Sequence, residues 1–141
     1  MKQALRKLDK ILAKRAKATA GVVMEPVVQG AGGMIVQPPG FVKGVERLCR
    51  KHGTLLILDE VMTGFGRTGK WFALEHFGVV PDIITMGKGI TSGYVPLGAV
   101  IVSRAIADYY RALDQHLARL LSALRADDVV LVVSDHGACT M

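Results

Sequence analysis

Two residues in this 141-residue sequence have the type and setting for concerted chemistry: the acid Asp59 and the amine Lys88. Asp59 ends the apolar run TLLIL (54–58), and Lys88 follows the run DIITM (82–86) and stands between Gly87 and Gly89. Short runs of this composition, bounded by turn residues and separated by a helix-like stretch, read as the buried strands of a β-α-β unit. A right-handed crossover makes such strands parallel and near neighbours, with their carboxyl ends on one edge of the sheet. Ligands of open α/β sheets bind along that edge. A carboxylate and an amine facing one cleft at ring-sized separation suit pyridoxal phosphate chemistry. The amine forms a Schiff base with the cofactor aldehyde, and the acid keeps the pyridine nitrogen protonated so that the ring can act as an electron sink. Gly87 and Gly89 lack a Cβ and let the backbone approach a flat ligand closely. Spacing alone leaves open a plainer reading, in which Lys88 lies in a surface loop and Asp59 caps a helix.

The elements that must position this pair are legible in outline, and they predict an α/β fold with a mostly parallel sheet and flanking helices. Residues 2–18 carry Leu5, Leu8 and Leu12 on one stripe of an amphipathic helix, whose apolar side could lie against a sheet face or a partner. AGVVMEPVV (20–28) predicts a third buried strand, closed by Pro26 and bringing Glu25 to the same cleft edge if parallel to the others. GAGG with Met34 is then a flexible turn, with Gln29 pointing either into the site or at solvent. FVKGVERLCRKH (41–52) predicts a helix with Val42, Val45, Leu48 and Cys49 on one face. Arg50, Lys51 and His52 complement its C-terminus, and Gly53 supplies the stop. WFALEHFG (71–78) reads as a short helix ended by Gly78, His76 in it as a surface or satisfied residue, and LGAVIVS (97–103) as the next strand.

The loop GFGRTGKW (64–71) matches two phosphate-binding patterns and satisfies neither in context. A dinucleotide-binding loop follows its strand directly and has an acid about 20 residues on, whereas here residues 59–63 intervene and that acid is missing. A nucleoside triphosphate loop needs Ser or Thr after its Lys, and Trp71 follows Lys70. The glycines instead let the chain fold back beneath the site, with Arg67 in a structural ion pair or against a neighbouring subunit.

Half of the residues are hydrophobic, enough for one domain with a core. The first 18 residues hold seven basic side chains against Asp9, a surplus of +6 that equals the net charge of the whole chain. The excess therefore sits on one terminal helix without interleaved aromatics, which argues for a solvated face and against nucleic-acid binding. Two cysteines make no disulfide framework, and Cys49 falls at a core position. No apolar run reaches the length of a membrane span, and no signal-peptide core follows the basic start, so the expected location is the cytoplasm.

Taken together, MEPVVQGAGGMIVQPPGF (24–41) and LLILDEVMTGFGRTGKWFALEHFGVVPDIITMGKGITSGYVPLGAVIVS (55–103) closely resemble class III pyridoxal-phosphate-dependent aminotransferases, in particular the omega-amino acid branch. The resemblance covers roughly residues 18–104 and rests on an ordered string of motifs. It implies part of the large domain of a fold-type I pyridoxal phosphate transferase. Lys88 would be the Schiff-base lysine and Asp59 the partner of the pyridinium nitrogen. Val61 would pack on the ring face, and Glu25 and Gln29 would lie near the site, ordering the cleft. Where many members carry a Gln that contacts the ring hydroxyl, this chain has Met62. The implied reaction moves an amino group from an amine or omega-amino acid to an oxo acid such as pyruvate, in a homodimer with shared sites. Such enzymes are about three times this length. The loop and helix N-terminus that hold the cofactor phosphate, the aromatic that covers the ring and the small domain have no counterpart here. The isolated chain is therefore expected to bind cofactor poorly and to be inactive.

From about Ala105 the pattern changes, and ALDQHLARLLSALRADDVVLVVSDHG (112–137) resembles a piece of the alkaline phosphatase and sulfatase superfamily. Asp135 and His136 match metal-ligand positions of that family. A working metal site needs further convergent ligands, and none is visible. The alternative is that 129–133 is one more strand with a polar end. The division expected is a partial transferase domain over 1–104 and a divergent helix–strand tail over 105–141. The alternatives to a transaminase are a non-catalytic hybrid fragment with a mute tail, or a metal-dependent phosphatase-like tail.

Overall fold

The computed structural model describes residues 1–122, in two compact units, Met1–Ser103 and a second beginning at Arg104. The first unit is built on a four-stranded sheet of β1 (Gly21–Met24), β4 (Leu55–Asp59), β5 (Ile83–Met86) and β6 (Ala99–Val102), in that spatial order. β1, β4 and β5 are parallel, and β6 runs antiparallel to β5. The predicted α/β class with a mostly parallel sheet is what the chain adopts. A separate two-stranded ribbon of β2 (Val28–Gln29) and β3 (Ile35–Val36) follows β1.

The core lies on one face of the sheet. Side chains alternate along a strand, so Leu56 and Leu58 share a face, and both are fully buried. They meet Met24, Val79 and the Val42, Val45 and Cys49 stripe of helix α2 (Phe41–His52). Each fully buried leucine contributes roughly 2 kcal/mol by area. α2 begins and ends where its punctuation predicts. Gly40 precedes it at a φ of 79°, and Gly53 stops it at a φ of 63°, a left-handed conformation that a Cβ disfavours. Burial raises the pKa of Cys49, so this thiol behaves as a small core hydrophobe.

Helix α1 (Lys2–Arg15) packs on α2, and its Leu5 and Leu8 lie against the core cluster. Leu12 is fully buried, and Leu5 lies over Gly44, where a Cβ would come within 2.6 Å of Leu5 Cδ1. Asp9 pins the two helices from its exposed side, accepting from Lys51 Nζ at 2.8 Å and pairing with His52 Nε2 at 2.7 Å. His52 is thus a bridge to α1 as well as a residue of the α2 C-terminus. Those two hydrogen bonds hold the Asp9 carboxyl below the usual carboxylate range.

Three expectations need correction. The strand predicted over 20–28 is only four residues long and forms a sheet edge, with Val23 64 % exposed. Pro26 lacks an N–H and ends the ladder, and Val28 N then donates to Pro26 O at 2.7 Å across Val27, whose φ is 64°. The helix predicted over 71–78 is a single 3-10 turn, Ala73–His76, because Phe72 before it is extended and Gly78 after it is left-handed at a φ of 57°; its first two amides, which have no acceptor inside the turn, donate to a distant side chain. The strand predicted over 97–103 is confined to β6. In the second unit, helix α3 (Arg104–Ser122) carries an exposed Arg111–Asp108 pair at 2.7 Å.

Candidate active site

The carboxyl edge of the parallel strands collects the candidate residues. Asp59 is the last residue of β4 and stands opposite Thr85 in β5. Lys88 lies three residues beyond Thr85, past the end of β5, so acid and amine leave adjacent parallel strands at one rim. Met24 stands opposite Leu58, which brings Glu25 level with Asp59 on the other side.

Asp59 is half-buried, and its Oδ1 accepts from Val61 N at 2.9 Å. Its Oδ2 has no hydrogen-bond partner among the described residues. Lys88 is exposed and takes part in none of the ion pairs among the described residues. Its backbone has a φ of 42°, a left-handed conformation uncommon for a residue with a Cβ. Val61 packs beside the strand end, 3.4 Å from where a Cβ at Gly87 would sit. An exposed amine and a half-buried acid thus flank the rim.

Glu25 is committed to local structure, its Oε2 accepting from Gly30 N at 2.8 Å. Gly30 allows this turn because a Cβ there would collide with Met62 Sδ. Gln29 pairs with Ile35 in the ribbon, and its side chain lies over Gly32 in its own turn, 3.6 Å from Oε1 to a Cβ built there. Arg67 is exposed and makes no ion pair with a described carboxylate, so the structural ion pair expected for it is absent among those residues. His76 is satisfied by Thr68, with Nε2 3.0 Å from its carbonyl oxygen. Asp135, His136 and Cys139 lie outside the described residues; among these, no cluster of side chains could hold a metal ion.

Sequence reasoning passed over Glu60. Its side chain is fully buried, and it takes part in no ion pair among the described residues. Instead Oε2 accepts from Thr63 Oγ1 and Ala73 N, and Oε1 from Leu74 N at 2.8 Å. Three donors converging on one carboxylate replace its lost hydration. This fastens the glycine-rich loop back against the end of β4. The only local signal was a second acid directly after Asp59, which alternation sends to the opposite face.

Comparison with known proteins places this architecture. The aminotransferase class III family matches residues 1–119, beyond both ends of the stretch 18–104 on which the resemblance rests. Adenosylmethionine-8-amino-7-oxononanoate aminotransferase of Geobacter sulfurreducens is 51 % identical over 108 residues, which cover 77 % of this chain and 24 % of that protein. Among solved structures, taurine:2-oxoglutarate aminotransferase from Bifidobacterium kashiwanohense, in complex with PLP and glutamate, is 48 % identical with a TM-score of 0.71, covering 77 % of this chain and 24 % of that one. An (S)-enantioselective omega-transaminase from Thermomicrobium roseum is 44 % identical with a TM-score of 0.70, covering 94 % and 27 %. The chain belongs to the class III aminotransferases, a family of pyridoxal-phosphate-dependent enzymes of fold type I. It spans about a quarter of the length of the curated relatives it matches. No described helix is long and apolar enough to cross a membrane.

Proposed function

We propose that this chain is the lysine-bearing part of a pyridoxal-phosphate-dependent transaminase large domain, with Lys88 as its catalytic amine and Asp59 as its cofactor-orienting acid. The observation that carries the reading is their presentation by adjacent parallel strands at one rim. The residues present fit the cofactor. The unpartnered Asp59 Oδ2 offers an acceptor to a protonated ring nitrogen, and Val61 and Gly87 make a flat apolar flank beside it. Glu25 and Gln29 order the neighbouring ribbon and support the rim without touching the reacting atoms.

When bound, pyridoxal phosphate supplies an electron sink for the carbanion left by deprotonation. Asp59 Oδ2 would accept a hydrogen bond from the ring N–H and so favour its protonated form. Lys88 Nζ would hold the cofactor and would carry the proton at the donor's amine-bearing carbon, as general base and as general acid. The substrates proposed are an amine or omega-amino acid donor and an oxo acid acceptor such as pyruvate, in a cytoplasmic homodimer. Residues 1–104 form the partial transferase domain and 105–141 a separate tail. A metal role for Asp135 and His136 is a distinct proposal, tested by metal content and by loss of phosphate ester turnover in His136→Ala.

The direct test is to add pyridoxal phosphate, reduce with borohydride and map the mass increase. The increase falls on the Lys88 peptide and is lost in Lys88→Ala. An unlabelled Lys88 peptide, with an intact class III enzyme labelled in parallel, overturns cofactor binding by this chain.

A further inference from the structure

Two residues with side chains that disfavour it adopt left-handed backbone on either side of one contact: Phe65 at a φ of 60° and Lys88 at 42°. The contact is Phe65 against Gly89. A Cβ built at Gly89 would come 2.8 Å from Phe65 Cβ and 2.9 Å from Cδ2, so the ring and its stem fill the space a side chain would need. Gly89 is therefore required here by close approach, and Phe65 is what approaches. Strained backbone persists only where its surroundings over-determine it.

The surroundings of Phe65 are specific. Its ring meets the edge of Phe72 at a centroid distance of 5.6 Å and that of Trp71 at 6.0 Å. Phe72 directly precedes Ala73 and Leu74, whose amides are held by the buried Glu60 carboxylate. Gly64 N also donates to Glu60 O at 2.8 Å, fixing the chain just before Phe65. An unbroken series of contacts thus runs from Glu60 through Phe72 to Phe65, and from Phe65 to the turn that carries Lys88. On the other side of Lys88, Val61 rests against Gly87. Within the turn, Ile90 N donates to Gly87 O at 3.2 Å, Ser92 N to Gly89 O at 3.4 Å, and Thr91 N to Gly89 O; the donors of these bonds lie after Lys88, whereas Phe65 and Val61 contact the glycines on either side of it.

We infer that Phe65, anchored through Phe72 by Glu60, is the positioning residue that holds the Lys88 turn in its left-handed conformation and so sets the direction in which the amine leaves the rim. Neither residue touches the reacting atoms; both act through the backbone of residues 87–89. The inference rests on the proposed role of Lys88, but the conformation it explains is a property of the cofactor-free chain.

The test uses the full 141-residue chain without cofactor and reads amide hydrogen exchange residue by residue. In Phe65→Ala, exchange at Ile90 and Ser92 rises about tenfold while the β4 amides of Leu56 and Leu58 keep their rates, the mark of local opening. Glu60→Gln shifts the same two amides in the same direction. Gly89→Ala loosens the turn because its methyl collides with Phe65. The double variant Phe65→Gly with Gly89→Ala removes the obstructing Cβ and ring and brings the Ile90 rate back toward that of Phe65→Gly alone. Unchanged exchange at Ile90 and Ser92 in Phe65→Ala overturns the inference, as does a rise that is equal at Leu56 and Leu58. Borohydride labelling of Lys88 is scored separately: its failure in the unmodified chain removes the proposed function and leaves the Phe65 result standing.

Discussion

Asp59 stands beside Thr85 in the parallel ladder of β4 and β5, so the turn bearing Lys88 leaves the sheet at the rim that the Asp59 carboxylate occupies. Two loops of unrelated sequence are brought together by one register. If Asp59 Oδ2 receives a cationic ring N–H, replacing the carboxylate by an amide removes a charge-assisted hydrogen bond worth roughly 2 kcal/mol. Asp59→Asn then raises the pyridoxal phosphate concentration for half-maximal labelling of Lys88 by more than about tenfold. Equal half-saturation in both proteins rules out the assigned role.

The buried Glu60 carboxylate predicts a stability effect separate from cofactor binding. Glu60→Ala strands Thr63 Oγ1 and the amides of Ala73 and Leu74, and costs about 3 kcal/mol in urea unfolding. Glu60→Gln keeps one carbonyl acceptor and loses less. A loss below about 0.5 kcal/mol for the alanine variant, typical of surface positions, contradicts the arrangement.

Asp82 is a second carboxylate whose role is structural. It accepts from Arg50 Nη1 at 2.9 and 2.7 Å and from Leu56 N at 2.8 Å, tying the C-terminal turn of α2 and the start of β4 to the start of β5. Arg50 is half-exposed, so solvent weakens its share, whereas the bond to Leu56 N is shielded. Asp82→Ala accordingly destabilises the chain by about 2 kcal/mol and Arg50→Ala by about 1 kcal/mol. The reverse order in denaturant midpoints means that the exposed guanidinium is the stronger anchor.

The docking of α1 on α2 depends on pH through Asp9. The hydrogen bonds from His52 and Lys51 depress its folded pKa, so it binds a proton more readily in the unfolded chain. Its stabilisation is present above the unfolded carboxylate pKa, near 3.9, and fades as pH falls through the lower folded value. Acid titration followed by exchange of α1 amides should therefore show α1 loosening below about pH 4. Asp9→Asn should flatten that response. An identical acid profile in the variant excludes Asp9 as its source.

Much of this fold follows from local sequence. Gly40 and Gly53 bound α2, the stripe of Val42, Val45 and Cys49 gives its buried face, and the runs ending at Asp59 and Met86 are strands. The right-handed crossover then places Asp59 and Lys88 on one edge without further information, because parallel neighbours share the direction of their carboxyl ends. The motif string carried the family, since its residues follow one another closely along the chain.

What tertiary structure alone decided is which groups meet across many residues. Nothing in the order of residues says that Glu60 receives the amides of Ala73 and Leu74, because no periodicity links a strand end to a loop thirteen residues on. The same holds for β1 lying at an edge, for β6 running antiparallel, and for Phe65 filling the space over Gly89. Sequence pattern records which side of an element avoids water. Burial of an individual polar group and strain at an individual peptide are set by the partner that arrives opposite, and that partner exists only once the chain has folded.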